Sequence, residues 1–174
     1  MPVSIWMVQA SVEVFVPYLD NLTRLLDRAA AYADVRKIDP AVLLSMRLHP
    51  TMFNLTRQVC EANRHAAIAS ALLAGHAPPM VAETEADIAE LKRRIGETIG
   101  FVQELPRAAI EASVDREVVF TFRSGATRNF TGRSLLLTFS LPQFFFHVTT
   151  AYDILRHAGV ELAKPDFLGP PRLL

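Results

Sequence analysis

The chain has a single cysteine, Cys60, among 174 residues. An intrachain disulfide is therefore excluded, and cysteine usage fits a reducing cytoplasm, the expected location. Neither sign of charge is in excess, since 18 basic and 18 acidic residues cancel. From that balance no footprint for nucleic acid or for an anionic membrane is expected. The opening stretch "MPVSIWMVQASVEVF" lacks a basic segment followed by a long apolar run, so no signal peptide is expected in it. The most membrane-like window, 135–152, carries Thr138, Ser140, Pro142, Gln143, His147, Thr149 and Thr150. It is too polar for a lipid-facing span and reads as a buried core helix. Internal repeats and low-complexity linkers are missing too, so residues 1–174 are expected to form one domain.

What is present is an ordinary globular balance, with 51% hydrophobic and 21% charged residues. Val8, Val12, Phe15, Leu19, Leu22, Leu26, Ala29 and Ala33 recur at helical spacing and define a first helix, which Pro17 should bend. Asp39 is placed to cap a short helical piece starting at Pro40. A second helix follows from Met52, Leu55, Val59, Ala62, Ala66, Ala69 and Leu73, ending at Gly75. Thr84 is read as the start of a third helix, with Asp87 three residues on imitating a capping box. Ile88, Leu91, Ile95, Ile99 and Val102 form its stripe, and Pro106 is placed to start one more short turn.

The period then changes. Val118, Phe120 and Phe122 alternate, a Ser-Gly turn follows, and a second short run surrounds Phe130. This predicts a β-hairpin. "RSGAT" is its turn and not a phosphate loop, because no helix start follows closely. The last helix is expected from about Ser134 to Gly159, divided or kinked at Pro142, and to be the most buried of the set. The tail "VELAKPDFLGPPRLL" is irregular, and its apolar residues should dock on the body. The fold expected is all-α, a four-helix bundle with a short β-hairpin between helices three and four.

"PQFFFHVTTAYDILRHAGVELAKPDFLG" and "KIDPAVLLSMRLHPTMFNLTRQV" resemble a bacterial family known only as a domain of unknown function, within the DinB-like superfamily of four-helix bundles. The resemblance covers nearly the whole chain and implies a DinB-like bundle that associates as a homodimer. Better-understood DinB-like proteins are metalloenzymes or thiol-dependent transferases and hydrolases. They hold a divalent metal with one histidine on the second helix and an H-x-x-x-H pair on the fourth. The i, i+4 spacing lets both side chains of that pair share an ion. In this chain the resemblance puts His147 at the second member of the pair and Gln143 at the first. The expected place on the second helix holds Cys60 or Glu61.

The candidate ligand-pocket residues are His147, Gln143, Gln58 and His65. His147 reads foremost as a hydrogen-bonded core histidine among Phe144, Phe145, Phe146 and Tyr152. Gln58 and His65 flank the seam of the second helix, close enough to reach the interior rim. Glu61 lies two positions past Val59, roughly 200° round the helix, and reads with Arg57 and Arg64 as a solvated face. Cys60 has no base beside it in sequence and reads as inert. Asp153 and His157 read as a surface pair, and His49 and His76 as loop residues. The expectation is a small-molecule-binding or interaction module without the three-histidine site, with no cofactor, no tightly bound metal, no nucleic acid and no membrane. The alternative is a metal-dependent hydrolase or thiol-dependent transferase using a degenerate site around His147.

Overall fold

The computed structural model describes residues 6–79 and 87–170. Its elements run α1 (Trp6–Ala10), α2 (Val12–Arg36), α3 (Pro40–Ser45), α4 (Leu55–Ala74), α5 (Ile88–Glu104), α6 (Arg107–Glu111), β1 (Glu117–Thr121), β2 (Thr127–Thr131), α7 (Gly132–Ser134), a π-helical segment (Leu135–Ser140), α8 (Leu141–His157) and α9 (Lys164–Leu168). Four long helical stretches, α2, α4, α5 and α8, make the bundle, and an antiparallel hairpin lies between the third and fourth.

Local chemistry accounts for most boundaries. Asp39 accepts from the backbone N–H of Ala41 at 2.9 Å, ahead of Pro40 at the first position of α3. Gly75 closes α4 in the left-handed region at φ 78°. Asn54, not the Met52 region, starts α4 by accepting from Arg57 N–H at 3.0 Å. Asp87 is itself the cap of α5, accepting from Glu90 N–H at 2.8 Å; Thr84 lies outside the described residues. The first helix is not continuous from Val8 to Ala33. Ser11 leaves helical geometry at φ −114°, ψ −82°, and its hydroxyl donates to Met7 O at 2.6 Å, so the chain breaks there. Pro17 is accommodated inside α2.

The main core is α2, α4, α5 and α8, with Phe15 meeting Phe144 edge-on at 4.9 Å between ring centres. The most buried helix is α4 and not the last one: 16 of its 20 residues are buried, against seven of the 17 in α8. The reason is topological. α4 packs on α2 and α5 on one side and on α8 and β1 on the other, whereas α8 keeps one flank in solvent, with Phe146 55% exposed. The tail does dock: Phe167 sits edge-on to Tyr18 and Tyr152, and Asn21 donates to its carbonyl at 3.1 Å.

The hairpin is held at both ends. At its root, Arg116 donates to the carbonyls of Leu72 and Leu73 at 2.9 and 2.6 Å, satisfying the C-terminus of α4. Gly132 passes so close to the Ser113 carbonyl that a Cβ would lie 2.2 Å from its oxygen. Between these anchors Val118 and Phe120 point inward and form a second small core with Ile68 of α4 and Leu135. The π-helical segment then turns the chain back into the bundle. Its wider turn lets Phe139 face the hairpin while Phe144 faces the main core. Pro142, in the first turn of α8, marks the junction, so it divides the last helix as expected.

Candidate functional site

Between α4, α8 and the hairpin tip lies an open cavity of 370 Å³, and Gln143, His147, Glu61, His65, Arg57, Arg64 and Arg123 are on its wall. α4 contributes one side. Gln58, Glu61 and His65 stand three and four residues apart, one turn above another on the same face. All three are buried, at 1%, 5% and 5% exposure.

Glu61 is therefore not on a solvated face. Arg123, from the hairpin tip, donates Nη2 to Glu61 Oε1 at 2.7 Å. Arg57 Nε lies 3.0 Å from the same oxygen, and Arg64 Nη1 lies 3.7 Å from Oε2. A helical wheel drawn on the Val59 seam treats the side facing α2 and α5 as the whole buried surface. α8 and the hairpin cover the opposite side, and the arginines supply the counter-charge that makes burial of a carboxylate tolerable.

The two histidines meet across α4 and α8. Their rings stack with centres 5.8 Å apart and planes 17° apart. Phe53 lies beyond His147 at 6.4 Å and Phe120 beyond His65 at 6.4 Å, giving a four-ring stack. Arg57 sits over the Phe53 ring and Arg64 over the Phe120 ring, at 5.2 and 5.8 Å. Thus α4 does bring a histidine to His147, and it is His65, one turn beyond the Cys60–Glu61 position. Cys60 is buried in the main core.

The protonation pattern follows from the contacts. Gln58 Nε2 donates to the Phe53 carbonyl at 3.2 Å, which turns the amide oxygen toward His147. That oxygen only accepts, so His147 Nδ1, 2.7 Å away, carries the proton and Nε2 keeps its lone pair. Burial pushes His147 below its ordinary pKa, against the raising effect of Glu61. His65 is pushed down to about 3, first by burial, then by His147, Arg64 and Arg123. Both rings are neutral at pH 7. His65 Nδ1 is buried with no hydrogen-bond partner. Burial also pulls the Arg64 guanidinium below its ordinary value, opposed by Glu61.

Glu61, His65 and His147 each offer a ligand atom, and these atoms lie within 4.8 Å of one another. Two imidazoles and a carboxylate match zinc, iron or manganese in donor type. They do not match in charge, because an incoming dication would face three guanidiniums around a carboxylate already paired by two of them. Gln143 is half-buried on the same cavity wall as His147. Asp153, His157, His49 and His76 are exposed. Sequence reading missed Arg123 and Phe122, whose only signal was a basic residue beside a turn.

The fold defines a DinB-like helical bundle, with Glu61, His65 and His147 gathered at its polar centre. The profile of the domain of unknown function DUF1993 matches residues 7–168, and the chain belongs to that family. A crystal structure of a DinB family member from Shewanella denitrificans is similar over 97% of this chain and 95% of that one, at 33% identity and a TM-score of 0.88. No curated protein matches the chain.

Proposed function

We propose that the protein is a small-molecule-binding module whose ligand occupies the cavity bounded by α4, α8 and the hairpin tip. The observation that carries this reading is the open cavity itself, with the neutral imidazole of His65 set in its wall. His147, oriented by Gln58, and Gln143 add further polar groups on the same wall. A proton NMR screen of small polar aromatic fragments tests this. Binders should shift the ring signals of His65 and His147 and lose affinity in His65→Leu. Binders that leave those signals unchanged and map to the cavity around Arg28, Tyr32 and Val160 would defeat the reading.

A second reading, a metal-dependent hydrolase or transferase, is favoured by the proximity of Glu61, His65 and His147. Those residues would hold the ion, and the ion would supply Lewis-acid chemistry. Metal analysis of protein purified without a histidine tag decides between the readings. Near-stoichiometric metal that disappears in His147→Ala would favour the second. Under the first, metal is absent and Gln143→His raises zinc affinity by adding the missing imidazole.

A further inference from the structure

Hydrogen-bond polarity is fixed along a short relay that ends at this cavity. The Phe53 carbonyl can only accept, and it stands one residue ahead of Asn54, the cap of α4. Gln58 therefore turns its amide nitrogen to that carbonyl, which it reaches at 3.2 Å, and its amide oxygen to His147. The opposite setting would bring two acceptors, Phe53 O and Gln58 Oε1, face to face. His147 Nδ1 is the donor to that oxygen, at 2.7 Å. Both groups are held: Gln58 is 1% and His147 6% exposed, and the His147 ring stacks on Phe53 and His65, whose planes lie 19° and 17° from its own. The two nitrogens of an imidazole diverge. With Nδ1 turned to Gln58 behind the cavity wall, Nε2 is the nitrogen left to the cavity, and it carries a lone pair.

Other polar groups on this wall do not set a polarity in the same way. Gln143 offers an N–H or a carbonyl oxygen according to how its amide is turned. The guanidiniums of Arg57, Arg64 and Arg123 are directed at Glu61. Phe53 and Phe122 add apolar ring faces, and the volume of 370 Å³ suits a small molecule. We propose that the ligand of this cavity is a small ring compound that donates an O–H or N–H to His147 Nε2, and that Gln58 is the positioning residue that makes this nitrogen an acceptor. This rests on the reading of the cavity as a ligand site and adds the group by which the ligand is recognised. A site built to accept a hydrogen bond rejects a molecule of the same shape that lacks the donor, because the acceptor is then left unpaired. A hydroxyl and a ring N–H are two sources of this one chemistry.

NMR titration of the full chain at neutral pH tests the proposal, with EDTA present so that no metal competes for the nitrogen. Long-range proton–nitrogen correlation on the native chain should show His147 protonated at Nδ1 and bare at Nε2. The probes are phenol against fluorobenzene and pyrrole against furan, each pair alike in shape and different in the donor. The donor of at least one pair should bind about tenfold more tightly than its partner and move the His147 Nε2 signal. Which pair discriminates tells the hydroxyl source from the N–H source. Gln58→Leu should release His147 to the Nε2–H tautomer and remove most of that preference. Gln58→Glu, whose carboxylate still accepts from Nδ1, should keep both the tautomer and the preference. A merely structural Gln58 would shift the two members of a pair together, and an undiminished preference in Gln58→Leu would overturn its role. An Nε2–H on His147 in the native chain would overturn the proposal with no variant needed, so the test stands even if Gln58→Leu fails to fold. Fluorobenzene and furan binding as tightly as phenol and pyrrole, with the His65 and His147 ring signals shifting, would overturn the donor and leave the cavity reading standing. Shifts in neither ring with any of the probes would overturn both.

Discussion

Arg57–Glu61 on α4 and Arg93–Glu97 on α5 are the same residue pair at the same i, i+4 spacing, yet they sit in opposite surroundings. The α5 pair is open to water, with side chains 58% and 53% exposed. Screening and side-chain entropy leave such a pair close to neutral in stability. On α4 the carboxylate is 7% exposed, and two further arginines, Arg64 and Arg123, join it. The difference lies in what covers the helix. Among the described residues nothing packs over Arg93 and Glu97 as α8 and the hairpin tip pack over Glu61. The comparison teaches that an Arg-x-x-x-Glu pair is a statement about one helix, and its chemistry is set by the neighbours.

The largest expected effect separates the two pairs directly. Glu61→Ala removes the buried carboxylate that Arg57, Arg64 and Arg123 share and should cost about 2–3 kcal/mol, discounted from the cost of breaking a fully buried pair because Arg57 and Arg123 keep some solvent. Urea unfolding followed by circular dichroism measures it. A loss no greater than that of Glu97→Ala would erase the distinction between the two regions. His147→Ala comes next. It leaves a cavity and strips Gln58 Oε1 of its donor, at an expected cost of about 2 kcal/mol. A companion His157→Ala, at an exposed position, should be nearly silent in the same assay.

Acid sharpens the comparison further. His65 has a folded pKa of about 3, below the ordinary value of 6.5, so the unfolded chain takes up this proton first. The stability contributed by the neutral ring is complete above pH 6.5 and is lost as pH falls from there toward 3, by up to about 1.4 kcal/mol per pH unit. His147, lowered in the same direction, adds to the slope. Thermal melts from pH 7.5 down to pH 5 should fall less steeply for His65→Leu than for the native chain; equal slopes would mean that His65 is not held neutral. The smallest effect is on α5, where Glu97→Ala should change stability by less than about 0.5 kcal/mol and fade with added salt.

Much of the bundle was legible one helix at a time. The seams of α2, α4 and α5 and the stops at Gly75 and Gly159 depend on spacing and backbone chemistry within a few residues. So does the hairpin, whose alternation of Val118 and Phe120 ends in a turn with Gly125 at φ 82°. Ser11 and the π-helical segment escaped for the same local reason in reverse. An apolar seam runs through both, and the hydroxyl of Ser11 and the wider turn before Pro142 compete with a regular helix only weakly.

The site divides differently. That His147 would be buried followed from its apolar neighbours, and that Gln58 and His65 flank the α4 seam followed from the wheel. By itself, then, the sequence determined which side chains each helix carries and at what angle, because helical period and caps are short-range properties. Tertiary structure alone decided that Glu61 is buried, that His65 lies on His147, and that Arg123 reaches Glu61 from the hairpin tip. Glu61 and Arg123 are 62 residues apart, and Gln58 and His147 are 89 apart. A charged residue reads as exposed unless its counter-charges are known to arrive. Here they arrive from a hairpin and a helix whose packing against α4 the periodicity of α4 does not encode.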